Sequence, residues 1–289
     1  MRIDAHQHFW DPALLPYPWM PPDPSPLRRP LLPELLAPVL AINRFDGSIL
    51  VQAATVPEEA DWLLSLADQH DFILGVVAWA DLTDPRLGHI LDRLQRHPKF
   101  KGIRHPVHDE ADDNWLLRPE VLQGLDELAR RNLPYDLLLY PKHLPLIPQL
   151  ADRVPNLQLV LDHLGKPPIA SRHSDPARSD AWAADLERAA AIPQLSAKIS
   201  GLITEADHAT WTAEDLKPYV QHALACFTPD RLMFGSDWPV CLLAGNWKRT
   251  LAAFTQAHGP LNVDVRAKLV GETAMRVYSI APRASSAGG

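Results

Sequence analysis

The chain has 289 residues, with 28 Lys and Arg against 35 Asp and Glu, a formal charge of −7 and 46% hydrophobic residues. That acidic balance contains no cationic block, so neither nucleic acid nor an anionic membrane surface is expected as a partner; no apolar run approaches the roughly 18 residues of a membrane span. Cys226 and Cys241 form no CxxC motif and are too few for a disulfide scaffold, and Met1-Arg2-Ile3-Asp4-Ala5-His6 lacks the apolar core of a secretory signal, which predicts a cytoplasmic protein.

Eight short runs rich in Val, Ile and Leu read as strands: Ile3 to His6, Ser48 to Gln52, Ile73 to Trp79, Phe100 to Arg104, Tyr135 to Tyr140, Gln158 to Asp162, Leu195 to Ile199 and Leu232 to Ser236. Between most of them lie stretches of helical spacing: Pro57 to Gln69, Pro85 to Arg96, Pro119 to Arg131, His143 to Arg153, Ala181 to Ala191, Ala213 to Cys226 and Trp247 to Gln256. Several open on Pro, which suits a first turn because its missing N–H would have no partner there. Strands alternating with helices predict a parallel sheet covered by helices, and eight strands close a (β/α)8 TIM barrel. An open doubly wound sheet is the competing architecture, but the chain has neither a GxGxxG turn after its first strand nor a GxxxxGK[ST] loop. One domain is expected over residues 1–280, followed by a small, polar and disordered tail from Ala281 to Gly289.

One segment departs from the alternation. From Asp11 to Pro33, nine of 23 residues are proline, a density that neither a central strand nor a helix interior tolerates. It reads as a semi-rigid loop leaving the C-terminal end of the first strand, over the mouth where barrel active sites lie. Its Tyr17 and Trp19 can wall a ligand pocket or serve in ordinary packing.

Residues able to carry chemistry cluster at the predicted strand ends. His6 and His8 lie two apart on the first strand and so share a face, giving half a metal site or a proton-transfer pair. Trp79 ends the third strand, Arg104-His105 the fourth, with His108 and Asp109 just beyond, and Tyr140 the fifth. Cationic and hydrogen-bonding groups of this kind suit a carbonyl or a hydroxyl-rich ligand, although Asp109 reads more readily as a loop cap. The sixth strand ends in Asp162-His163. Gly235-Ser236-Asp237-Trp238-Pro239 closes the eighth and sets one carboxylate beside the first strand; an exposed loop aspartate is the plain alternative.

Those motifs, in this order, resemble the amidohydrolase superfamily. More closely, DAHQHFW (Asp4 to Trp10), KGIRHPVHDE (Lys101 to Glu110), LDHLGKP (Leu161 to Pro167) and GSDWPV (Gly235 to Val240) resemble its sugar-lactonase branch, the L-fuconolactonase- and L-rhamnonolactonase-like hydrolases. Gly271-Glu272-Thr273-Ala274 with Tyr278 resembles that branch's terminal helix. Binuclear members use a carboxylated lysine on strand four, where this chain has Arg104 and His105, and a histidine on strand five, which here ends at Tyr140 with His143 beyond. The resemblance therefore implies at most one divalent metal, zinc, held by His6, His8, His163 and Asp237, and admits a metal-independent reaction.

The implied reaction is hydrolysis of a sugar-acid lactone to the open-chain aldonate. Asp237 would take a proton from the attacking water, with His6, His8 and His163 as metal ligands or hydrogen-bond donors and Arg104 balancing carbonyl charge. Arg104, His105, His108, Tyr140, Trp79 and Trp19 are the candidates for substrate binding. Too few arginines converge on the mouth for a dicarboxylate, which points to a neutral sugar lactone; the pattern specifies neither which one nor an oligomeric state. Two other readings remain open at this stage: a non-oxidative decarboxylase built on the same HxH and Asp, and a non-catalytic ligand-binding barrel.

Overall fold

Each of the eight apolar runs forms a strand in the computed structural model, which describes residues 1–282. The strands are β1 (Ile3–Gln7), β2 (Gly47–Val51), β3 (Ile73–Ala78), β4 (Phe100–His105), β5 (Tyr135–Leu137), β6 (Leu159–Leu161), β7 (Leu195–Ile199) and β8 (Leu232–Phe234). All neighbours are parallel and in sequence order. Just past the end of β8, Asp237 N donates to His6 O (2.9 Å) and His8 N to Trp238 O (2.7 Å), which joins the last strand to the first. The result is a (β/α)8 TIM barrel. Its strands are buried nearly throughout because the interior fills one face and helices cover the other.

A helix follows every strand: α1 (Pro33–Ile42), α2 (Pro57–Gln69), α3 (Leu87–Leu94), α4 (Pro119–Arg130), α5 (Leu146–Arg153), α6 (Pro176–Ala190), α7 (Ala213–Cys226) and α8 (Trp247–His258). The reading from sequence set out seven of these and passed over α1, where Pro33 and Pro38 mask the helical spacing. Pro33 occupies the first turn, so only Pro38 removes an internal N–H. Helix α6 starts at Pro176, ahead of the expected Ala181, and β5 pairs only as far as Leu137, short of Tyr140. The tail expected to be disordered falls, from residue 283 onward, outside the described residues. No helix among the described residues is long and apolar enough to cross a membrane.

The proline-rich excursion is tied at its base. Trp10 and Leu31 exchange backbone hydrogen bonds (3.2 and 2.9 Å), and the Trp10 indole donates to Leu27 O at 2.9 Å. Tyr17, Met20 and Leu27 are buried against the core, while Trp19 is 37% exposed and donates its indole N–H to Ala53 O after β2. The loop thus leans over the C-terminal ends of the strands.

At the opposite end the C-terminal segment closes the barrel. It runs through α9 (Val263–Ala267), a π-helical turn and α10 (Thr273–Val277). Gly271 approaches the chain start so closely that a Cβ there would meet Met1 O at 2.0 Å. Val277, Tyr278 and Ile280 pack with Ile3, Ile49, Val77, Val160 and Met233 into an apolar layer at the strands' N-terminal ends. Tyr278, only 1% exposed, brings a polar tip into this layer, and its hydroxyl donates to the Asp136 carboxylate (2.9 and 3.0 Å to its two oxygens). Removing that donor leaves a buried carboxylate short of a partner. Tyr278→Phe should therefore cost about 1–3 kcal/mol, read as a lowered urea midpoint; an unchanged midpoint would show that the bond contributes nothing net.

Candidate active site

The C-terminal ends of the strands open into a cavity of about 600 Å³, lined at its floor by His8, Gln52, Arg104, His163, Gly201 and Asp237. Strand alternation alone would turn Asp4, His6 and His8 to one face. A register shift between Asp4 and Gln7 changes this. The Asp4 carboxylate faces away from the cavity and accepts from Trp247 Nε1 (2.7 Å) and Ser236 N (2.8 Å), pinning β1 to β8 and α8, while His6 and His8 converge on the site. Their Nε2 atoms are 3.1 Å apart, and Asp237 Oδ1 lies 3.7 Å from His6 Nε2 and 3.4 Å from His8 Nε2. His163 Nε2 stands 3.9 Å from the same oxygen.

These separations can be tested against a metal. Zinc bonds nitrogen and oxygen ligands at about 2.0–2.1 Å, so neighbouring corners of a tetrahedron are about 3.3 Å apart. The His6, His8 and Asp237 atoms bracket that spacing, all three groups are buried, and their chemistry is that of a zinc ligand set. The residues present fit one divalent ion.

Backbone strain holds two of these groups in place. His163, Leu164, Gly165 and Lys166 run consecutively through left-handed φ values of 54°, 51°, 69° and 54°, and Asp237 has φ 56°. A left-handed residue with a side chain costs roughly 1–2 kcal/mol, and such positions persist where surrounding packing over-determines them. Here Trp182 Nε1 donates to Leu164 O (2.8 Å) and Lys166 N to His163 O (2.9 Å). Opposite sits Gly201 at φ 63°, whose absent Cβ would fall 2.6 Å from His163 Nδ1 and 3.2 Å from Asp237 Oδ2.

Beneath the histidines lies a charged network. Lys198, on β7 and wholly buried, donates to Asp136 Oδ2 (2.5 Å), sits 2.9 Å from Asp162 Oδ1, and is 3.1 Å from His6 Nδ1. Arg104 donates to Asp162 Oδ2 (3.2 Å) and, through Nε, to Gln52 Oε1 (3.0 Å), with another bond to Gln52 O. Asp136, Lys198 and Gln52 were absent from the candidates because each is a single polar residue in or beside an apolar run, while Asp162 entered only as the neighbour of His163 and Tyr278 only as part of the terminal helix. The one signal available was a charge inside a strand buried on both faces.

The structure divides the other candidates. Arg104, His108, Tyr140 and Trp19 line the cavity; Tyr17 lies behind the wall, against Trp10. His105 and Trp79 do not reach it. His105 points to the opposite face of β4 from Arg104, where it accepts from Trp79 Nε1 (3.0 Å), meets Glu110 at 2.7 Å and stacks on Trp115 with ring centroids 4.2 Å apart. Asp109 is at the rim, 3.2 Å from His108 Nε2. Cavity-lining Lys166 pairs with Glu205 at 3.2 Å, and His143, beyond β5, is buried away from the cavity beside Tyr140 N.

Burial sets the protonation of these groups. It pushes His163 down to about 4 and His108 to about 3, and holds His6 well below the ordinary imidazole value. Burial alone would raise Asp237, but the histidines around it, charged at the acid pH where it titrates, hold it below the usual carboxylate range. At pH 7 the neutral imidazoles of His6 and His163 thus face an ionised Asp237. Glu59, on α2, differs: burial raises its carboxyl to about 8, against the lowering effect of the Ala54 and Ala53 N–H groups whose bonds shape the cavity wall after β2.

Residues 3–280 match the amidohydrolase family described as Amidohydro_2. The L-fucono-1,5-lactonase of Burkholderia ambifaria is 37% identical over 286 residues, covering 96% of each chain. A crystal structure of an amidohydrolase from Burkholderia multivorans with bound zinc is 37% identical and superposes with a TM-score of 0.89 over 97% of this chain and 100% of that one. A 2,6-dihydroxybenzoate decarboxylase from Rhizobium, 15% identical with a TM-score of 0.66 over 96% of this chain and 98% of that one, shares the fold.

Two outcomes follow from the packing and the charges. Gly201→Ala should fold but displace His163 and Asp237, lowering turnover about 10²-fold, the cost of a misplaced group; near-normal turnover would mean the site relaxes around a methyl group. Glu59 holds its proton in the folded protein up to about pH 8 but releases it near 4.5 when unfolded. Its contribution is complete below pH 4.5 and declines by up to about 1.4 kcal/mol per pH unit as pH rises to 8. Glu59→Gln should remove that slope from urea-unfolding free energies, whereas wild type and variant running parallel from pH 5 to 8 would show Glu59 ionised throughout.

Proposed function

The chain belongs to the amidohydrolase family, and we propose that it hydrolyses the lactone of a neutral sugar acid, of the L-fucono-1,5-lactone type, to the open-chain aldonate. The observation that carries the substrate class is the state of the cavity's cations. Arg104 is paired with Asp162 and Lys166 with Glu205, each at 3.2 Å. A substrate carboxylate would find neither lysine nor arginine without a carboxylate partner of its own among the described lining residues, which disfavours an aromatic acid awaiting decarboxylation or a dicarboxylate. A neutral, hydroxyl-rich ring finds suitable partners. His108 Nδ1 is buried in the cavity lining with no hydrogen-bond partner in the protein, and the half-exposed rings of Trp19 and Tyr140 offer apolar faces at the mouth.

Asp237 is the base. Ionised on the cavity floor, its carboxylate accepts a proton from the attacking water, and it returns that proton to the alkoxide released on ring opening. His163 is oriented by Ser200 Oγ, 2.8 Å from its Nδ1, which leaves Nε2 facing Asp237 and the reacting centre. Arg104, fixed by Gln52 and Asp162, presents fixed positive charge near the carbonyl oxygen as negative charge develops there. His6, His8, His163 and Asp237 would hold a zinc ion, which when bound polarises a carbonyl and lowers the pKa of water. A non-catalytic binding barrel would have no use for an ionised carboxylate set against three buried histidines.

Hydrolysis liberates a proton at neutral pH, so turnover is read in weak buffer against a panel of sugar-acid lactones. Asp237→Asn should lower kcat by about 10²-fold or more, with binding of the product aldonate retained. Absence of turnover with every lactone, with added zinc as well as without it, would sink the lactonase reading; CO2 release from hydroxybenzoates would replace it with decarboxylation.

A further inference from the structure

The cavity has two unlike sides. In a closed ring of eight strands β2 stands across from β6, and β3 across from β7. Above the floor, the loops after β1 and β2 bring Pro18, Trp19, Ala53, Ala54 and Thr55, whose side chains are apolar apart from the Thr55 hydroxyl and an indole N–H already donated to Ala53 O. The loops after β4 to β7 bring His108, Tyr140, Lys166 and Glu205. Lys166 Nζ lies 3.2 Å from Glu205 Oε1 and 5.5 Å from the centre of the Tyr140 ring, and that ring meets the His108 imidazole edge-on with centroids 5.0 Å apart. A ligand rich in hydroxyls has to turn them toward this second side.

The fold has little need of the ion pair found there. Its side chains are 21% and 23% exposed, and a pair open to solvent contributes little stability. The backbone beneath it is fixed independently: Lys166 N donates to His163 O (2.9 Å), Glu205 N to Leu202 O (3.2 Å), and Ala170 N to Glu205 O (2.9 Å), which laces the loop after β6 to the loop after β7. The two charges cancel, so the pair exerts no net pull on an anion. A single contact between them occupies one ammonium hydrogen and one carboxylate oxygen and leaves the remaining capacity for a ligand in the cavity. Two neighbouring hydroxyls held gauche on a sugar ring stand at much the same separation as these two atoms, and a hydroxyl both donates and accepts. We propose that Lys166 and Glu205 are specificity-determining residues that together read two adjacent hydroxyls of the ring, Glu205 accepting from one and Lys166 donating to the other. The inference rests on the substrate being a neutral sugar lactone and adds which residues inspect its hydroxyls. A ring lacking either hydroxyl leaves one of the two charged groups short of a partner and is rejected for that reason.

Steady-state kinetics on a fully hydroxylated sugar-acid 1,5-lactone and on its deoxy analogues, each lacking one ring hydroxyl, compare wild type with Lys166→Met, Glu205→Gln and the double variant. Each single variant should raise KM for the parent lactone about 10-fold to 100-fold, the worth of a hydrogen bond to a charged group, with a smaller change in kcat, as expected when binding common to the ground and transition states is lost. With the two analogues that lack neighbouring hydroxyls, wild type should show a similar rise in KM, and the variant missing the matching side chain no further rise. Should a lone charge disturb the loops in a single variant, the double variant removes both charges together and is read in the same way. An equal loss of turnover on every lactone, the mark of a structural role, or KM unchanged in the variants, would overturn the proposal. If no lactone is turned over, that failure belongs to the lactonase reading, and the pair is tested by saturation-transfer NMR with the 1,5-anhydroalditol of the same ring, which has no ester to cleave. Binding to wild type that weakens in the double variant supports the assignment; binding absent from wild type, or equal in both, overturns it.

Discussion

One ammonium group inside the barrel sets the conditions that the remainder of the structure meets. Lys198 is fully buried among Asp136, Asp162 and His6, in surroundings where an unpaired charge costs several kcal/mol. Such a group survives only where each hydrogen has an acceptor and each carboxylate a second donor. Tyr278 supplies that donor to Asp136 from the C-terminal plug, and Arg104 supplies it to Asp162 from β4. Arg104 in turn requires Gln52, at the end of β2. Residues on or just past six of the eight strands, together with the C-terminus, are thereby committed to one layer of charge, sealed beneath by the apolar layer around Val277 and Ile280.

That layer shows where reading the sequence succeeds and where it stops. Strands and helices announce themselves through periodicity, so the barrel was legible, as were His6, His8, His163 and Asp237, each at a strand end where chemistry is expected. Asp136 and Lys198 were not, because their importance arises only on closure, when residues 62 positions apart in sequence come within 2.5 Å. Nothing local distinguishes Lys198 within Leu195–Ile199 from a strand-edge lysine. Arg104 and His105 are a different kind of miss. The two-residue period of a strand sends adjacent side chains to opposite faces, so both could not line the mouth, and the pairing of His105 with Trp79 outside the cavity is the consequence. At β1 the same rule holds for His6 and His8, which converge as expected, while a register shift after Asp4 turns that carboxylate outward to Trp247.

The left-handed turn from His163 to Lys166 and the left-handed Asp237 add a cost that local sequence preference would avoid, since only one of these five residues is glycine. The surrounding scaffold has to supply the difference. It does so with directed bonds, from Trp182 to Leu164 O and from Asp237 N to His6 O, in a barrel whose hydrophobic interior leaves little room for relaxation. The gain is precision in side-chain direction: His163 and Asp237 meet across Gly201 from strands that are not adjacent in the sheet.

Charge and strain together mean that the geometry exists before any ion or substrate arrives. In a site organised by a metal, the ligands owe their positions to the ion, and removing it loosens them. Here His6 is held from below by Lys198, His8 from the side by Val51 O, His163 by Ser200 and Asp237 by a backbone bond to β1. Each anchor comes from the protein and each uses an atom other than the one facing the cavity. Preorganised dipoles of this kind stabilise developing charge without having to reorient during the reaction. An ionised carboxylate, fixed imidazoles and a guanidinium with saturated partners therefore suffice to place a base and a positive field around a carbonyl group. In such a site the placement of the base rests on anchors that lie behind the atoms presented to the cavity.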